Sequence, residues 1–118
     1  MSAFAGRRVL IVEDEPIVAM SLEDMLEAMD CVPVGPVGRV AEGMALIERE
    51  TLDAAILDIN LGGERSTPIA MLLRARGIPF AFASGYGAAP EGFEEGVPMI
   101  EKPYRPLQVA QALALLLG

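Results

Sequence analysis

Polar residues able to do chemistry stand at the ends of four apolar runs. Glu13-Asp14 follows Val9 to Val12, Asp58 follows Ala54 to Leu57, Ser84 follows Ile78 to Ala83, and Lys102 comes two residues after Val97 to Ile100. A carboxylate at the end of a buried strand is costly unless something cationic meets it. Three carboxylates gathered at one place repel one another unless a cation sits among them. The chain has no His and one Cys, so hard oxygen ligands point to Mg²⁺ or Mn²⁺. Mg²⁺ takes one or two carboxylates, keeps several waters and leaves room for a phosphoryl oxygen. Lys102 adds a second positive charge and Ser84 a hydroxyl donor. Such groups around one carboxylate stabilise the equatorial oxygens of a phosphoryl group in transfer. In that arrangement Asp58 is the nucleophile and forms an acyl phosphate.

Positioning these residues takes a particular architecture. Val9 to Val12 and Ala54 to Leu57 are short unbroken apolar runs and read as strands buried on both faces. Cys31 to Val34 is a weaker second strand, because Pro33 suits an edge, and Gly35 to Gly38 reads as a turn. Ile78 to Ala83 and Val97 to Ile100 are the fourth and fifth strands. Helical spacing predicts helices from about Pro16 to Asp30, over Val40 to about Arg49, from Pro68 to a stop at Gly77, and over the segment holding Leu107 to Leu117. Gly62 to Thr67 reads as a polar loop. Ala88 to Gly96 holds Pro90, Gly92 and acidic residues, so a fourth helix there is expected to be short, irregular or mobile. Strands alternating with helices imply an open parallel α/β sheet covered on both faces. In such sheets a site lies beyond the carboxyl ends of the strands, and the four polar groups would meet there.

Composition narrows the choice further. At 118 residues and 53% hydrophobic content, the chain is long and apolar enough for one globular domain with a real core. Its net charge of −8 argues against nucleic acid and against an anionic membrane surface. The absence of His removes His-based triads and phosphocarriers, and the lone Cys31 removes a disulfide framework. No run is long enough to span a bilayer and the first residues are not a signal peptide, so a cytoplasmic location is expected.

Glu13-Asp14, Asp58, Ser84 and Lys102-Pro103, in this order on these elements, resemble the receiver domain of bacterial two-component response regulators. The resemblance spans about Arg8 to Leu117 and makes residues 1–118 one receiver domain. It implies a flavodoxin-like (βα)5 three-layer sandwich with a five-stranded parallel sheet of order 2-1-3-4-5. It further implies that Asp58 accepts a phosphoryl group from a histidine kinase or a phosphotransfer protein. Asp14 and Asp58 would hold Mg²⁺ directly, with the backbone carbonyl of Asn60, while Glu13 would act through metal-bound water. Lys102 would pair with the phosphoryl group or with Asp58, and Ser84 would swing in to hydrogen-bond it.

One position departs from the family pattern. Most receivers carry Tyr or Phe three residues before the Lys, where this chain has Met99, which puts the usual aromatic switch in doubt. Phe82-Ala83-Ser84-Gly85-Tyr86-Gly87 instead resembles the Phe-Ala-Thr-Gly-aromatic motif of a subfamily lacking that switch, with Ser for Thr. That subfamily is frequent in alphaproteobacteria, often as single-domain regulators beside kinases of the HWE and related types. The resemblance implies a switch that catalyses only its own phosphorylation and dephosphorylation. Its output is a changed affinity for a protein partner through the face of the fourth helix, fifth strand and last helix, in a monomer or a weak phosphorylation-dependent dimer.

Plainer readings stand beside these. Glu13, Asp14 and Glu15 would favour a helix N-terminus, but that leaves Asp58 unexplained. Lys102 alone would be a solvated charge, and Ser84 a turn residue before Gly85. Tyr86 suits packing or gating of water equally, while Tyr104 suits packing under the last helix better than a partner surface. The seven Met residues and Cys31 read as core filler. A haloacid dehalogenase-like phosphohydrolase is disfavoured because Asn60 stands where its second Asp belongs. A degenerate, binding-only receiver is disfavoured because acceptor and metal carboxylates are present. A flavin-binding protein is disfavoured because no Ser/Thr-rich phosphate loop follows the first strand. A stand-alone regulator is preferred to a receiver cut from a hybrid kinase.

Overall fold

Val9, Leu10, Ile11 and Val12 are fully buried, as are Ala54 to Leu57 beside them. The computed structural model describes residues 3–85 and 89–118. It places β1 (Arg8–Val12) and β3 (Ala54–Asp58) at the middle of a parallel sheet. β2 (Val32–Val37) lies outside β1, and β6 (Phe80–Ser84) and then β7 (Met99–Glu101) lie outside β3. Counting only these five strands, the order is 2-1-3-4-5, the flavodoxin-like order expected.

Alternation along each strand divides the core into two layers. Leu10, Val12, Leu57 and Phe82 face Leu46 and Ile47 of α2 (Val40–Arg49) and Ile69, Ala70 and Leu73 of α3 (Thr67–Ala75). Val9, Ile11, Ile56 and Ala81 face Leu22 and Leu26 of α1 (Pro16–Ala28) and Val109 and Leu113 of α4 (Pro106–Leu117). Pro begins or nearly begins α1, α3 and α4, where its missing N–H costs nothing. Among the described residues, no helix is long and apolar enough to cross a membrane.

Three segments differ from expectation. Gly35 to Val37, read as a turn, continues β2, and the pairing with β1 shifts register between Leu10 and Val12. Gly35 has φ +97°, and a Cβ there would lie 3.0 Å from the Ile11 carbonyl oxygen. The glycine therefore makes a bulge on an edge strand, where a proline is tolerated. The polar loop after β3 is a hairpin of β4 (Asn60–Leu61) and β5 (Glu64–Arg65). Gly62 (φ +54°) and Gly63 (φ +101°) form its two-residue turn, which needs positive φ at both positions. The connection from β6 to β7 holds turns and bends but no helix among its described residues 89–98. Phe93 anchors it, packing edge-on against Phe80 and Phe82.

Candidate functional site

At the carboxyl edge of the sheet, the ends of β1, β3, β6 and β7 deliver the candidate groups. Glu13 follows β1 and is buried. Its amide donates to the Val37 carbonyl at 2.9 Å, which ties it to the edge strand. Asp58 ends β3 and is 6% exposed. The chain beyond it is anchored by Ile59 N donating to the Ala83 carbonyl at 3.3 Å and Ser66 N to the Ile59 carbonyl at 3.0 Å. Ser84 ends β6, and its carbonyl accepts from Lys102 N at 3.2 Å, which fixes the residue after β7 beside it.

The Lys102 ammonium bridges the two buried carboxylates. Nζ donates to Asp58 Oδ2 at 2.9 Å and to Glu13 Oε1 at 3.0 Å. The remaining oxygens are also engaged: Asn60 N reaches Asp58 Oδ1 at 3.4 Å and Glu15 N reaches Glu13 Oε2 at 3.2 Å. Glu13, Asp14 and Asp58 each offer a carboxylate oxygen, and these oxygens lie within 4.8 Å of one another. Asp14 is the exposed member. A cleft of about 570 Å³ opens above them, lined by Asp14, Asp58, Asn60, Gly62, Ser84 and Lys102 among others. Glu13 lies beneath its floor. An all-oxygen set this compact, open to water on one side, suits a small hard divalent cation.

Burial pushes the Glu13 carboxyl up to about 7; the Asp58 charge adds to this and the Lys102 hydrogen bond works against it. For Lys102, burial opposes the charge, but hydrogen bonds to Asp58 and Glu13 outweigh it and raise the ammonium above its ordinary value.

The fold thus brings together Glu13, Asp14, Asp58, Asn60, Ser84 and Lys102. Pro103 follows through a cis peptide bond and is exposed. Met99 does not line the cleft; it pairs with Phe82 across β6 and β7 and packs with the α2/α3 layer. Tyr86 lies outside the described residues. Tyr104, expected to pack, is buried in the α1/α4 layer, and its hydroxyl is buried without a hydrogen bond of ordinary geometry. Burial first, then the charges of Glu13 and Asp58, raise its phenol well above the usual range. Gly62, over the Asp14 carboxylate, is a site residue that the polar-loop reading passes over; its signal is the Gly-Gly pair four residues after Asp58.

Residues 9–114 match the response regulator receiver domain. SdrG from Sphingomonas melonis Fr1, solved in solution, is 50% identical over the whole of both chains, with a TM-score of 0.84. A BeF3-activated conformation of SdrG, described from Pseudomonas melonis Fr1, is 51% identical over 97% of this chain and 98% of that one, with a TM-score of 0.80. The phyllosphere-induced regulator PhyR of Methylorubrum extorquens is 28% identical over 97% of this chain, which spans only 45% of PhyR. The strand order, the polar groups at the strand ends and these likenesses agree, and the chain belongs to the response regulator receiver family of two-component signalling.

Proposed function

We propose that Asp58 accepts a phosphoryl group from a histidine kinase, of the HWE or a related type, or from a phosphotransfer protein. The observation that carries this is the Lys102 ammonium held at hydrogen-bond distance from Asp58 at the floor of an open cleft. Asp14, Asp58 and the Asn60 backbone carbonyl would hold Mg²⁺, with Glu13 acting through a bound water. That ion, when bound, supplies positive charge to the oxygens of the transferring group. A carboxylate oxygen of Asp58 attacks phosphorus, the bond from phosphorus to the donor nitrogen breaks, and the donor leaves with the bonding electrons. Lys102 keeps Asp58 ionised and aimed, and offers its ammonium to the developing charge. Ser84, at the rim of the same cleft, donates its hydroxyl to the phosphoryl group once formed. The BeF3-activated form of the similar SdrG supports this reading by its name.

The output is a change in affinity for a partner protein across β7, α4 and the preceding connection. There Met99 stands where most receivers carry an aromatic on β7. We assign residues 1–118 to this one receiver unit, acting in the cytoplasm.

Intact mass after incubation with acetyl phosphate, with and without Mg²⁺, tests the proposal. One added phosphoryl group in the wild type that needs Mg²⁺ and is lost in Asp58→Asn is expected. Phosphorylation that persists in Asp58→Asn would overturn the assignment of the acceptor.

A further inference from the structure

Asp14 is exposed and stands between two cavities. On one side is the cleft over Asp58. On the other is a second cavity of about 560 Å³, lined by Gly38, Arg39, Leu61 and Glu64 among others. A carboxylate between two cavities has rotamers that aim it into either, so its direction depends on how closely its neighbours approach. Two glycines approach it. A Cβ on Gly38 would lie 3.2 Å from Asp14 Cα and 3.4 Å from its Cβ. A Cβ on Gly62 would lie 3.2 Å from Asp14 Oδ2. The segments bearing these glycines are joined, because Glu64 Oε1 accepts from Val40 N at 3.3 Å and so ties the hairpin to the start of α2.

We propose that Gly38 and Gly62 are positioning residues for Asp14: without side chains, they leave its backbone and carboxylate the room to face the cleft and a divalent cation. The proposal rests on the Mg²⁺ reading above. Gly63 supplies an internal control. It shares the turn and has a larger positive φ, +101° against +54°, yet a Cβ there meets nothing within 4 Å. Alanine at either position strains the backbone, but only alanine at 62 meets Asp14.

The test is Mg²⁺ titration of metal-free protein, followed by the amide chemical shifts of Asp14 and Asn60. Gly62→Ala is expected to weaken Mg²⁺ about tenfold, as disturbing the orientation of a metal ligand does. Gly63→Ala should keep the wild-type affinity. Gly38→Ala, whose backbone needs no positive φ, should weaken binding in the same direction as Gly62→Ala and serves if the latter folds poorly. A second readout separates positioning from general damage. The Mg²⁺ concentration for half-maximal phosphorylation by acetyl phosphate should rise in Gly62→Ala by the same factor as the titrated affinity falls. Equal affinity in Gly62→Ala and wild type, or an equal loss in Gly63→Ala, overturns the positioning role alone. No Mg²⁺-dependent shift in the wild type overturns the Mg²⁺ reading and the positioning role with it.

Discussion

Lys102 Nζ lies 2.9 Å from Asp58 Oδ2, although the two residues are 44 apart in sequence. The contact exists only when β7 has docked beside β6 and β6 beside β3, so it forms with the sheet itself. The same ammonium reaches Glu13 at 3.0 Å, across 89 residues. One cation is therefore shared by two carboxylates that the fold buries.

Removing that cation should be costly when no metal is present. Lys102→Met leaves Glu13 and Asp58 buried side by side without a counter-charge. The expected loss is about 3 kcal/mol, the lower end for breaking a buried pair, because the Lys102 side chain keeps 18% exposure. Urea denaturation in EDTA measures it. Adding Mg²⁺ should recover part of the loss, since a divalent cation supplies the missing charge. A variant as stable as the wild type in EDTA would mean that the bridge contributes nothing net.

The raised Glu13 carboxyl sets a pH dependence. In the metal-free fold it titrates at about 7, against 4.5 for its ordinary value. Between these values the folded chain holds a proton that the unfolded chain has released. This contribution to stability is therefore fully present below about 4.5 and is lost as the pH rises through about 7. Denaturation midpoints in EDTA should fall over that interval, and Glu13→Gln should flatten the slope there. Mg²⁺ should stabilise more at pH 7.5 than at pH 5.5, because an ion competes with the proton for the carboxylates. A slope unchanged by Glu13→Gln would place the titration elsewhere.

How much of this is legible in the sequence depends on what each residue type signals alone. Val9 to Val12 and Ala54 to Leu57 announce buried strands because nothing polar interrupts them, and the carboxylates that follow mark the site edge. The Gly-Pro pair at 35–36 and the Gly-Gly pair at 62–63 are less specific. Both break regular structure, but whether the chain turns, bulges or folds into a hairpin depends on what lies beside it. For Gly35 that neighbour is the Ile11 carbonyl, and for Gly62 it is the Asp14 carboxylate. Neither contact has a local sequence signal. Lys102 before Pro103 is weak taken alone; only the sheet order places it over Asp58.

Packing between α2 and α3 offers a test away from the site. Gly43 lies within α2, where Ala would favour the helix by about 1 kcal/mol. A Cβ there would lie 2.6 Å from Ile69 Cδ1 and 3.3 Å from its Cγ1, and Ile69 is fully buried. Overpacking costs about 1–3 kcal/mol and should outweigh the helical gain. Gly43→Ala is thus expected to lower stability by about 1 kcal/mol, the balance of the two effects, with Mg²⁺ affinity unchanged. Increased stability in a thermal melt would show that Ile69 has room to shift.

Tyr104 separates packing from chemistry beneath the site. Its ring belongs to the α1/α4 layer with Ile11, Leu22 and Val109, so Tyr104→Ala should cost about 3–5 kcal/mol as a large cavity opens. The hydroxyl is a different matter. It is buried without a hydrogen bond of ordinary geometry, yet Glu13 lies near enough to act on it as a weak partner. Tyr104→Phe keeps the ring and removes only a weakly paired hydroxyl, so its stability in EDTA should stay close to the wild type. Mg²⁺ affinity decides what the hydroxyl does. Unchanged affinity in Tyr104→Phe assigns the residue to packing alone. Weaker affinity with undiminished stability would mean that the hydroxyl steadies Glu13 from below, since the Glu13 charge already acts on the phenol.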